Sequence, residues 1–208
     1  MLPDTWKDTA YHIGVGLGNS SGQPAIVIVR RTNWETGERN HVDFSRRLLS
    51  RIEVCRIDRF APDATHAEIA ARAAEISRNS EISGKVAFVV DTTGDGAPFV
   101  RTMYRQNIGV CRILALCVAP GGAETHADNT YHVPKRSLLG GLLTTLDACQ
   151  ASYDQSQEPI VALQAELVAM RQAFRTGGLP ALDQINPTDA AVAMAMAIWR
   201  ARKFDFHV

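Results

Sequence analysis

Residues 86–90 of this chain, Val-Ala-Phe-Val-Val, form an unbroken apolar run that ends on Asp91 and enters the turn Thr-Thr-Gly-Asp-Gly. An apolar run without alternation suits a strand covered on both faces, which requires helices above and below a largely parallel sheet. A carboxylate at the end of such a strand loses hydration unless a cation or hydrogen-bond donors meet it, so Asp91 is a candidate site residue. The plainer alternative is a turn aspartate that caps the backbone amides following it.

The rest of the chain supplies the layers. Tyr11–Gly16 reads as a strand, Leu17–Gln23 as a turn and Ala25–Arg31 as a second strand. Asn33–Asn40, carrying Gly37 among polar residues, reads as a hairpin connection into a third strand within His41–Phe60, which completes an antiparallel meander. Pro62, Asp63 and Thr65 open a helix over His66–Asn79, with Ile69, Ala70, Ala73 and Ile76 on one face. That helix is the crossover to the strand at Val86. Ala97–Asn107 follows as a helix, Val110–Val118 as a strand, and Pro120–Asn129 as a polar, glycine-rich loop of the kind that carries binding groups. A short extended piece, His132–Lys135, leads into a helix over Ser137–Ala151. Pro159–Phe174 is a further helix with Leu163, Leu167 and Met170 as its core stripe, and Pro187–Arg202 is the last.

A length of 208 residues suits one well-buried domain spanning 1–208. With 46% apolar and 21% charged residues, the composition is that of a soluble globular protein. No apolar run reaches bilayer length and the first residues lack the pattern of a secretory signal, so the expectation is a cytoplasmic protein with no membrane partner. Because 22 basic residues balance 22 acidic ones, no overall field draws the chain to nucleic acid. Any such contact has to come from a local cluster, of which the chain has four, Arg30–Arg31, Arg46–Arg47–Arg51, Lys135–Arg136 and Arg200–Arg202–Lys203, each by itself more often a solvated face than a binding surface. Cys55, Cys111, Cys117 and Cys149 form no C-x-x-C pair, and His12, His41, His66, His126, His132 and His207 have no metal-ligand spacing.

Five segments in order carry a resemblance: GVGLGNSSGQPAIVIV, VVDTTGDG, VPKRSLLGGL, LQAELVAM and PTDAAVAMAMAIW. From Tyr11 to Arg202 this succession resembles the nuclease domain of phage terminase large subunits, in the ribonuclease H-like superfamily. The resemblance implies an α/β fold with a central mixed sheet, antiparallel hairpin strands first and parallel strands after, and helices on both faces. It also implies phosphodiester hydrolysis with Mg2+ or Mn2+, in which carboxylates from separate elements converge on hard cations. Asp91 falls on the second metal-binding carboxylate and Asp189 on the third. Lys135 falls on the basic position, with Arg136 beside it, for contact with DNA phosphates. The first carboxylate falls on Gly16, while Pro187 and Thr188 stand where the family commonly has His and its first Asp. Asp95, four residues after Asp91, is the candidate substitute acid, and Asp128 with His126 is another. For Asp189 the plain alternative is an ordinary helix N-cap or a first-turn acid favoured by the helix dipole.

No G-x-x-x-x-G-K-[ST] occurs in the chain, so the resemblance implies double-stranded DNA and a separately encoded terminase ATPase or small subunit as partners, in a bacterial host. Three functions stand side by side at this point. The first is a metal-dependent endonuclease, weakened or inactive at Gly16. The second is a non-catalytic module that binds DNA or a packaging partner. The third is a nucleotide-binding member of the same superfold; its phosphate loop would be Gly14–Gly18, although Asn19 and the strand that follows depart from a dinucleotide fingerprint.

Overall fold

A computed structural model of the chain describes residues 7–18, 22–39, 42, 46–82, 85–94, 96–109, 111–148, 151–153 and 158–203. The strands are β1 (Lys7–Gly16), β2 (Ala25–Arg39), β3 (Arg46–Arg59), β4 (Val86–Asp91), β5 (Arg112–Ala119), β6 (Thr125–Ala127), β7 (Thr130–Pro134) and β8 (Ala151–Tyr153). The helices are α1 (His66–Arg78), α2 (Gly96–Arg105), α3 (Lys135–Asp147), α4 (Glu158–Leu182) and α5 (Asp189–Lys203). All eight described strands join one sheet in the order β6-β7-β5-β4-β1-β2-β3-β8. The first three strands pair antiparallel, and β4 then lies parallel to both β1 and β5, which makes the sheet mixed.

Alternation along the strands sorts the core into two layers. Ile13 and Val15 of β1, Ile26 and Ile28 of β2 and Phe88 and Val90 of β4 pack with Ile69 and Ala73 of α1 and Phe99 and Met103 of α2. On the other face, Val27, Val29 and Val89 pack with Leu139 and Leu143 of α3, Leu167 of α4 and Met194 and Ile198 of α5. Every residue of β4 is buried, as a strand covered on both faces requires. Residues 189–201 of α5 are likewise buried without interruption, because the sheet covers one side and α3 and α4 cover the other. Thr65 opens α1 with a capping box: its backbone N–H donates to Glu68 at 2.7 Å and its hydroxyl accepts from the Glu68 N–H at 3.3 Å.

The sequence reading is corrected at several boundaries: β1 begins at Lys7, ahead of Tyr11, and Lys135 opens α3 instead of ending the extended piece. Asn33–Arg39 continues β2 instead of turning: Asn33, Trp34 and Glu35 pair with Ser50, Leu49 and Leu48, and a register shift before Arg39↔Arg46 absorbs the irregularity around Gly37. The polar segment after β5 contains a hairpin, because Asp128 (φ 49) and Asn129 (φ 59) both adopt the left-handed conformation that a two-residue turn between β6 and β7 needs. Ala151 belongs to β8, which adds a short parallel edge to β3, and α3 ends before it. Finally, α4 runs past Phe174 to Leu182 through a kink at Gly178 (φ 65, ψ −159), just before Pro180. Among the described residues no helix is long and apolar enough to cross a membrane.

Candidate functional site

Asp91 is the last residue of β4 and is 2% exposed. Its Oδ1 accepts the Thr93 N–H at 2.8 Å, while the Thr92 N–H donates to the Leu116 carbonyl at 2.7 Å and the Thr93 hydroxyl accepts the Val118 N–H at 3.0 Å. The turn after β4 is therefore tied to β5 on both sides of the carboxylate. Asp91 and Thr93 line a cavity of about 390 Å3 together with Lys135 of α3 and with Asn186 and Pro187 ahead of α5. This is the carboxyl end of the parallel strands, where open α/β sheets place their ligands.

The cavity continues through Val118 and Lys135 into a groove of about 330 Å3 that also exposes Gly121, Arg136 and Asp183. Lys135 Nζ donates to the Asp183 carbonyl at 3.0 Å and Arg136 Nη2 donates to the Gly121 carbonyl at 3.0 Å. Helix α3 starts at Lys135 with no side-chain cap, so its first-turn N–H groups add positive potential at the same place. Two larger hollows, of about 540 and 610 Å3, lie on the α1 side around Tyr11 and Arg30. Of the guanidinium groups lining them, Arg30 pairs with Glu53 at 2.6 Å and Arg72 with Asp58 at 2.8 Å.

Asp189 is the first residue of α5, is fully buried, and accepts the Gly18 N–H on Oδ1 at 3.0 Å. It does not line the cavity that Asp91 lines. The helix start is instead organised by Thr188, whose hydroxyl accepts the Ala191 N–H at 3.3 Å. Thr188 in turn donates from its N–H to Glu166 Oε1 at 2.5 Å and from its hydroxyl to Glu166 Oε2 at 2.7 Å. Glu166 went unread in the sequence; the available signal was a lone acid inside the apolar run from Ile160 to Met170 of α4.

The neighbourhood of Gly16 accounts for its missing side chain. A Cβ built there would lie 2.7 Å from the Asp189 main-chain oxygen and 3.0 Å from the Asp189 Cβ. Two residues earlier, a Cβ on Gly14 would lie 1.8 Å from the Ala193 main-chain oxygen. Helix α5 thus rests directly on the backbone of β1, and the two glycines are what permits it. His12, further along the same strand face, is fully buried; burial, with Arg200 and Arg31 nearby, lowers its pKa to about 3, so the ring is neutral.

The residues expected to bind metal are therefore only partly assembled. Asp91 faces the cavity, Asp189 Oδ1 accepts from Gly18, position 16 offers no side-chain oxygen, and Asp95 lies outside the described residues. His126 and Asp128 sit on the exposed β6–β7 hairpin, three strand spacings or roughly 14 Å from β4. Among the described residues, no group of three His, Cys, Asp or Glu side chains could hold a metal ion. Lys135, Arg136 and the start of α3 place positive charge together on a chain of zero net charge. Neither a protein-family model nor a curated protein matches this sequence.

Proposed function

We propose that the chain is a ribonuclease H-like domain of the terminase-nuclease type that binds the backbone of double-stranded DNA along the Lys135–Arg136 groove, with phosphodiester hydrolysis lost or strongly weakened. The observation that carries this reading is the packing at Gly16. The space for a first carboxylate is taken by the Asp189 main chain, so the departure from the family pattern is built into how α5 seats on β1. Lys135 and Arg136 supply charge without base-specific geometry, which suits contact with phosphates. On this reading the partners are a separately encoded terminase ATPase or small subunit in the cytoplasm of a bacterial host.

A metal-dependent endonuclease is the second reading, favoured by one specific feature: the Asp91 carboxylate lines the cavity beside Lys135. Asp91 would be a ligand for Mg2+ or Mn2+ there, and Asp95 or Asp189 would have to complete the set. The two readings separate in one pair of assays, fluorescence anisotropy with a duplex oligonucleotide and plasmid nicking with Mn2+. Salt-dependent binding with an uncut plasmid supports the first. Nicking that Asp91→Ala abolishes would replace it with the second, and absence of both binding and nicking would remove both.

A further inference from the structure

We infer that Asp183 is a resident competitor for the DNA phosphate at the Lys135–Arg136 groove and so sets its affinity; the inference rests on the DNA-binding reading above. One residue engages both cations. The Asp183 carbonyl accepts from Lys135 Nζ at 3.0 Å, and Asp183 Oδ2 lies 3.5 Å from Arg136 Nη1. Arg136 reaches across the groove, because its other terminal nitrogen donates to the Gly121 carbonyl at 3.0 Å. Like the unesterified part of a phosphodiester, the carboxylate offers two oxygens and one negative charge, so it occupies the position that an incoming backbone phosphate would take against Arg136.

The local chain holds Asp183 at the groove's rim. Leu182 is fully buried and Ile185 packs against the same core, fixing the segment on both sides. Three successive bonds tighten the turn: Asp183 N–H to Pro180 O at 3.2 Å, Gln184 N–H to Ala181 O at 3.2 Å and Ile185 N–H to Leu182 O at 3.4 Å. The turn follows the kink at Gly178, and its Asp183 carbonyl meets Lys135 at the start of α3. Asp183 has no capping duty for α5, which Thr188 performs. With 32% and 42% of the two side chains exposed, the Arg136–Asp183 pair is weak and water-accessible, so a phosphate can displace the carboxylate without disturbing the core.

The test is a double-mutant cycle read by anisotropy of a 30-base-pair duplex over a series of salt concentrations, using the full chain, Asp183→Asn, Arg136→Ala and the double variant. Asp183→Asn keeps the carbonyl and the side-chain shape and removes only the charge. It should bind about fivefold tighter with a similar dependence of log K on log salt, because the phosphate contact at Arg136 is the same and only the carboxylate that has to be displaced is gone. In the Arg136→Ala background the same change should have no effect on affinity or slope. Equal affinity for the parent and Asp183→Asn, with Arg136→Ala still weaker than both, would overturn the competitor role and leave the groove intact. Binding insensitive to Arg136→Ala and to Lys135→Ala, or no binding by any of the proteins, would overturn the groove reading and the inference with it. Unchanged thermal midpoints across the set establish that charge, not folding, is being read.

Discussion

The main chain of Asp189 fills the space that a side chain on Gly16 would need: the nearest approach of a Cβ built at position 16 is 2.7 Å, to the Asp189 carbonyl oxygen. A contact that short between a side chain and a backbone atom is relieved only by moving α5 or β1. Both are buried where they meet, at residues 12–16 and 189–201, and packed segments resist displacement. Gly16→Asp is therefore expected to destabilise the protein by about 1–3 kcal/mol through overpacking, and not to create a metal site. Gly14→Ala, with its closer approach to Ala193, should cost at least as much. Urea midpoints at constant m-value measure both. A Gly16→Asp protein as stable as the parent that nicks plasmid with Mn2+ would contradict this account.

His12 sets a pH dependence of stability. Its folded-state pKa is depressed to about 3, first by burial and then by Arg200 on α5 and Arg31 on β2, against an ordinary value near 6.5. The unfolded chain takes up a proton below that ordinary value, while the folded ring stays neutral until about pH 3. The stability is thus fully present above about pH 6.5 and declines as the pH falls toward 3, by up to about 1.4 kcal/mol per unit from this group. Denaturant titrations from pH 7 to pH 4 should show that slope, and His12→Gln should flatten it.

Glu166 ties α4 to the start of α5 through the N–H and hydroxyl of Thr188, at 2.5 and 2.7 Å. Glu166→Ala leaves the Thr188 N–H without its acceptor and should cost about 1–3 kcal/mol. Glu166→Gln retains an acceptor oxygen and should lose less. Thermal midpoints of the two variants rank the effect, and equal losses would mean that the charge, not the acceptor, is what matters.

Much of the layering was legible because it is local. The run Val86–Val90 already required cover on both faces, and Thr65 already marked the start of α1. What stayed hidden depends on residues far apart in the chain. The extension of β2 through Trp34 comes from pairing with Leu49 across the ribbon, which overrides the turn signal of Gly37. The gap at Gly16 looks like a deleted acid in one dimension, and only its apposition to Asp189, 173 positions on, shows a packing requirement. The same holds for Glu166 with Thr188 and for Asp183 with Arg136, whose pairings no spacing rule anticipates.

Lys135 and Arg136 should contribute to DNA binding by charge. Each replacement by Ala is expected to weaken binding to unrelated duplex sequences to a similar extent and to reduce the salt slope by about one unit. The loss should be similar for AT-rich and GC-rich oligonucleotides, since phosphates carry no base information. Anisotropy at several salt concentrations decides it, and a sequence-dependent loss would point to base contacts in place of backbone contacts.

Asp91 decides whether the cavity works with or without a cation. Asp91 lines the space beside Lys135, so a phosphate entering the cavity meets its carboxylate unless a divalent ion stands between them. Asp91→Asn preserves the acceptor for the Thr93 N–H at 2.8 Å, and the turn after β4 should survive it. If Asp91 carries a cation, Mn2+ will tighten duplex binding by the parent and leave Asp91→Asn unaffected. In EDTA the order should reverse, with Asp91→Asn binding more tightly than the parent because the repulsion is gone. Identical responses of the two proteins to Mn2+ would mean that Asp91 serves the turn alone, and that Lys135 and Arg136 bind DNA without help from a metal.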